Sequence, residues 1–170
     1  MMMDTLKKCR TALVRLLEFL LIIAVTALVL VVIYGVFTRY AMGKQADWSE
    51  EIARFLLVWI SLLGGAVAFG EKAHLGVDYF VGKLEPSAKK FVALFGQIVI
   101  LIFAVIIFII GGSNIAVNNM SQQAPALGKY GLMMGHVYLA LPIAGVFIII
   151  FTVEQFLETL MSKETDGEGK

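Results

Sequence analysis

Four stretches of this chain contain no Asp, Glu, Lys or Arg: positions 19–38, 55–70, 91–128 and 130–153. An α-helix rises ~1.5 Å per residue and the hydrocarbon core of a bilayer is ~30 Å thick, so roughly 20 apolar residues make a crossing. The first, third and fourth stretches are long enough as they stand. The second becomes long enough if its helix starts near Trp48, which gives about 22 residues and ~33 Å to Phe69. The pattern predicts an all-α integral membrane protein in one membrane domain, with spans over about 16–38, 48–70, 91–112 and 131–156.

The connecting segments carry their own signals. Gly43-Lys44 reads as a turn, and Asp47 is placed to cap the second helix, with Glu50 three residues on as in a capping box. Trp48 suits the aromatic belt at a membrane surface. Glu50 and Arg54 are four apart and Glu51 and Arg54 three apart, so the arginine can be neutralised where it enters the apolar layer. Farther along, Ser61 with Gly65 and Gly64 with Ala68 form small-xxx-small pairs of the kind that let helices approach closely.

Between the second and third spans, Val77, Phe80, Val81 and Leu84 follow i, i+3, i+4, i+7, while His74, Asp78, Gly82 and Glu85 trace the opposite side. This segment, about 74–85, is too short and polar to cross and reads as an amphipathic helix lying at the membrane surface. Pro86 ends it, and Ser87 is placed to cap the third span. Gly111-Gly112 is expected to close that span, with the polar run from Ser113 to Gln123 leading out of it. The fourth span is expected from Gly131, where Gly131 and Gly135 form a GxxxG pair, with a kink at Pro142. The tail over 162–170 is polar and reads as loose.

Composition agrees with a membrane protein: 59% hydrophobic and 16% charged residues, against about 45–50% and about 25% in soluble domains. The net charge of +1 points to no nucleic-acid partner. The single cysteine, Cys9, excludes an internal disulfide and a CxxC pair. The basic residues are unevenly distributed. Lys7, Lys8, Arg10, Arg15, Lys72, Lys83, Lys89, Lys90, Lys163 and Lys170 fall on one side of the predicted spans, and only Arg39, Lys44, Arg54 and Lys129 on the other. By the positive-inside rule both termini, and the amphipathic segment, face the cytoplasm.

Little catalytic chemistry is visible. The two histidines, His74 and His136, fall on opposite predicted sides, which argues against a bis-histidine haem, and no metal-ligand cluster, nucleophile elbow or phosphate loop occurs. No enzymatic activity and no cofactor are expected. A carrier normally keeps ionisable groups near the bilayer midplane, but Glu18, Glu50, Glu51, Arg54, Glu154 and Glu158 all lie toward span ends, and no internal repeat is apparent.

Two blocks carry a family resemblance. Trp48-Ser49-Glu50-Glu51-Ile52-Ala53-Arg54, followed by Leu57-Val58-Trp59 and Gly64, and then His74-Leu75-Gly76-Val77-Asp78, resemble the small DctQ-type membrane subunit of tripartite ATP-independent periplasmic (TRAP) transporters. The likeness extends over nearly the whole chain. It implies a large permease subunit and a periplasmic substrate-binding protein as partners, in the cytoplasmic membrane of a bacterium or archaeon. Sodium coupling would reside in the large permease, with this chain bracing and anchoring it during uptake of a C4-dicarboxylate, sialic acid or similar small organic acid. Trp48, Glu50, Glu51, Arg54, Trp59, Gly64, His74 and Asp78 are the candidate subunit-interface or structural residues. The alternative is a self-sufficient four-span carrier acting as a dimer, in the manner of small multidrug exporters, with Glu18 as its membrane carboxylate.

Overall fold

The computed structural model describes residues 2–44, 46–71 and 86–161. The expected amphipathic helix over 74–85, with His74 and Asp78, and the tail over 162–170 lie outside them.

Helices α1 (Met2–Met42) and α2 (Asp47–Gly70) form a long antiparallel pair. The third crossing is a composite rod: α3 (Pro86–Phe103), a π-helical stretch (Ala104–Gly111) and α4 (Gly112–Asn118). A folded loop leads to α5 (Met134–Tyr138) and α6 (Ala140–Met161). Four helical segments, Lys7–Met42, Asp47–Gly70, Lys90–Asn118 and Met134–Met161, are long and apolar enough to cross a membrane. Among the described residues there is no β-strand, only an isolated bridge between Gln123 and Met133.

α6 organises the packing, lying against α2, α3 and the π-helical stretch and touching α1 more lightly. The buried cluster consists of Val14 and Leu17 from α1, Leu63 and Ala66 from α2, Ala104 from the third crossing, and Ala144, Ile148 and Phe151 from α6. Three of these eight are alanines, which let the helices approach closely where attraction comes from packing rather than from exclusion of water. Large apolar side chains such as Phe19, Ile33, Phe37, Phe95 and Ile102 point outward, as an apolar solvent permits.

Several local expectations need correction. Gly111-Gly112 does not end the third helix, which runs on to Asn118. Both glycines are right-handed helical, and a Cβ on Gly112 would sit 2.7 Å from Leu141 Cβ. The glycine there admits α6 rather than terminating its own helix. Gly145 plays the reciprocal part, since a Cβ on it would lie 2.6 Å from Phe108 Cβ in the π-helical stretch.

The fourth crossing begins at Met134, not Gly131. Gly131 closes a 3-10 turn (Gly128–Tyr130) at φ +86°, a left-handed conformation that a side chain disfavours. Gly131 and Gly135 therefore do not share a helix face. Pro142 interrupts the helix as expected. The break falls at Leu139, beside Tyr138, whose carbonyl the proline both crowds and leaves without a donor. Pro86 and Ser87 are both helical residues of α3, so Ser87 lies inside the helix rather than capping it.

Candidate functional site

The WSEE block sits at the start of α2, and its acidic residues have separate fates. Asp47 is the first helical residue rather than the cap. The cap position belongs to Ala46, which makes no side-chain cap bond, and the Asp47 carboxylate reaches Lys44 at 3.8 Å. Ser49 is buried and donates its hydroxyl to the Ala46 carbonyl at 2.7 Å. Glu50 accepts from Arg54 at 2.9 Å across one exposed helical turn. That pair was expected. The expected Glu51 to Arg54 contact is replaced by a different bond.

Glu51 points inward, only 7% exposed. Its Oε2 accepts backbone N–H bonds from Ala126 and Leu127, both at 2.8 Å. Two successive amides presented to one oxygen form a small anion-binding concavity. The loop that offers them is tightly ordered. Ala124 N–H donates to the Leu132 carbonyl (3.0 Å), Gly128 to Ala124 (2.8 Å), Met134 to Gln122 (2.9 Å) and Gly135 to Asn119 (3.0 Å). Glu51 supplies acceptors that this backbone network does not give to residues 126 and 127, at an apolar site where an unmet amide is costly.

The aromatic residues of the block also join elements. Trp48 packs on Tyr34 of α1 with ring centroids 5.1 Å apart. Trp59, just over half an α2 turn beyond Leu57, packs against the buried cluster and also walls an apolar groove. That groove, of about 510 Å³, lies between the first half of α2, the 119–133 loop and α5, with Phe55, Trp59, Leu132 and His136 among its walls.

Gly64 behaves differently from the close-approach glycines: nothing lies within 4 Å of where its Cβ would be, and the same holds for Gly65. Ser61, Gly65 and Ala68 are exposed, in one line with Glu50, Arg54 and Leu57. The small-xxx-small pairs thus face away from the chain's own helices rather than joining two of them.

A second polar cluster lies at the opposite end of the bundle. Arg10 pairs with Glu154 at 3.3 Å and Lys7 with Glu158 at 3.4 Å, tying the start of α1 to the end of α6. Gln155 donates to the Phe69 carbonyl at 2.7 Å, satisfying an acceptor in the last turn of α2. Gln97 donates to Thr159 at 3.2 Å. The sequence marks these carboxylates only as span-end charges. Their pairing follows from the antiparallel course of α1 and α6, which sets Lys7 and Arg10 against Glu158 and Glu154. Glu18 is half-buried.

Among the described residues no group of three His, Cys, Asp or Glu side chains could hold a metal. The arrangement ties elements of the chain to one another.

Residues 28–161 match the family model for the DctQ component of tripartite ATP-independent periplasmic transporters. The chain belongs to the DctQ family. It is a transporter component rather than an enzyme, and a multi-pass membrane protein. DctQ-type relatives cover most of it. A TRAP transporter small permease protein of Haemophilus influenzae is 30% identical over 85% of this chain and 87% of its own length. The sialic acid TRAP transporter small permease protein SiaQ of Vibrio cholerae is 26% identical over 91% of this chain and 87% of its own length. A third relative differs in scale. The sialic acid TRAP transporter permease protein SiaT of Haemophilus influenzae is 27% identical over 70% of this DctQ chain, but the match occupies 20% of the relative.

Proposed function

We propose that this chain is the non-translocating brace of a sodium-driven TRAP transporter, holding a large permease subunit in the cytoplasmic membrane of a bacterium or archaeon. A periplasmic binding protein delivers the solute, a small organic acid such as sialic acid or a C4-dicarboxylate. The observation that carries this reading is the match to one-fifth of SiaT. In that relative a DctQ-like part and a far larger remainder share one polypeptide, as expected of two parts that work side by side.

The chemistry of the bundle supports the division of labour. Glu51 is committed to loop amides, Glu154 to Arg10 and Glu158 to Lys7. A side chain that binds and releases a coupling ion must change partners during transport, whereas these serve fixed contacts between elements. The exposed α2 line from Glu50 through Ser61 and Gly65 to Ala68 offers a flat, small-residue surface to a neighbouring helix. His74 and Asp78 take part in the same assembly as members of the second sequence block, and the excess of basic residues sets both termini in the cytoplasm.

Affinity purification through a tag on this chain, after co-expression with the large permease of its transporter, tests the pairing. A stable complex in mild detergent is expected. Recovery of this chain alone under conditions that keep both proteins folded would refute it.

A further inference from the structure

We propose that the groove walled by Phe55, Trp59, Leu132 and His136 is a binding site for one acyl chain of an anionic phospholipid, from the leaflet at the Lys129 end of the bundle. Two features of the groove point to this occupant: its apolar lining and the charge at its mouth.

The groove follows α2 from Ile52 to Trp59, ~10 Å of helix axis, or about two-thirds of the ~15 Å of hydrocarbon in one leaflet. Its lining is almost wholly apolar. Water finds few partners there, so an apolar chain is the natural filling. The groove holds about 510 Å³, ample room for an acyl chain laid along that length of helix.

The mouth carries groups that suit a phosphate. Lys129 Nζ lies 5.0 Å from the ring centroid of Tyr130, and Tyr130 itself lines the groove. Among the described residues no carboxylate pairs with Lys129. His136 Nδ1 accepts the Met133 N–H at 3.2 Å, so a neutral ring carries its proton on Nε2, leaving a donor on the groove wall. One unpaired cation and one N–H beside an apolar slot favour an anionic headgroup over a zwitterionic one. The lipid would fill the gap between α2 and the loop that Glu51 holds.

The two tryptophans of the chain, Trp48 and Trp59, make the test direct. The full chain with Trp48→Phe is placed in nanodiscs, and Trp59 fluorescence is followed as phosphatidylglycerol or phosphatidylcholine brominated in mid-chain replaces unbrominated lipid. A variant with Phe95→Trp and both native tryptophans changed to Phe reports ordinary lipid contact, because Phe95 faces outward on α3. Trp59 should reach half-quenching at a phosphatidylglycerol fraction about fivefold below that for phosphatidylcholine. The Phe95→Trp reporter should show no such difference, and Lys129→Gln should abolish it for Trp59. The same curve at both positions for both lipids would overturn the proposal, as would a preference untouched by Lys129→Gln. In the purified transporter complex, a photoreactive benzoylphenylalanine at Leu132 should capture phospholipid. Capture of the large permease instead would give the groove to a protein partner and overturn the lipid assignment, leaving the pairing of subunits intact.

Discussion

Glu51 Oε2 accepts the backbone N–H of Leu127 at 2.8 Å, so a carboxylate near the start of α2 holds the loop that joins the third and fourth crossings. The same oxygen takes the Ala126 N–H, and the loop in turn supplies Leu127 to the groove beside Trp59. One buried carboxylate therefore ties α2 to the loop at this end of the bundle.

Removing that charge should release the loop. Hydrogen bonds to a charged group contribute about 1.5–3 kcal/mol each, and a stranded buried amide adds to the loss. Glu51→Ala is expected to destabilise the protein by about 2–4 kcal/mol on that basis, seen as a lower unfolding temperature in detergent and faster proteolysis within 119–133. Glu51→Gln keeps an acceptor oxygen and should lose less than half as much. Equal stability of Glu51→Ala and the unaltered protein would show that the loop is held by other contacts.

At the other end, Arg10→Glu should separate the start of α1 from α6. It sets a second carboxylate beside Glu154, which is buried, and breaking such a pair costs up to about 3–5 kcal/mol when fully buried, less here because Arg10 is partly exposed. Combining Arg10→Glu with Glu154→Arg should recover most of the loss in a double-mutant cycle. Additive losses in the double variant would deny the contact.

Arg54 tests assembly apart from folding. Its pair with Glu50 is exposed, and such pairs contribute about 0.3–0.5 kcal/mol, so Arg54→Glu should leave the melting temperature of the isolated chain nearly unchanged. It should still weaken capture of the large permease and uptake, because it sets a second acidic group beside Glu50 on the outward line of α2. Unchanged capture and uptake would remove Arg54 from the interface.

Two glycines should respond in opposite ways. Gly145→Ala drives a methyl to 2.6 Å from Phe108 Cβ and should cost about 1–3 kcal/mol by overpacking. Gly64→Ala meets nothing within 4 Å and should leave the isolated chain at least as stable, since alanine favours the helix by about 1 kcal/mol over glycine. Thermal unfolding of both variants checks the contrast; matched losses would contradict the packing described.

The four crossings were legible in the sequence because run length against bilayer thickness is a one-dimensional criterion that needs no tertiary knowledge. Glu50 with Arg54 was legible for the same reason, being a contact within one helix. Glu51 was not. Arg54 three residues away offered a local partner, while the true donors lie 75 and 76 residues distant. A signal was available: helical spacing sets Glu51 in line with Phe55, Leu62 and Ala66, on the face of α2 that turns inward. Gly111-Gly112 misled because glycine marks both helix ends and close helix contacts, and only the position of Leu141 decides between them. The Lys7 and Arg10 pairings required knowing which crossings run side by side.

Uptake by proteoliposomes settles whether this subunit braces or translocates. Vesicles holding this chain with its large permease, supplied with the binding protein and an inward sodium gradient, should accumulate a labelled organic acid such as sialate or succinate. Vesicles holding this chain alone should accumulate none under the same gradient. Gradient-driven accumulation by the chain alone, abolished by Glu18→Gln, would contradict the bracing role and make the chain a carrier in its own right.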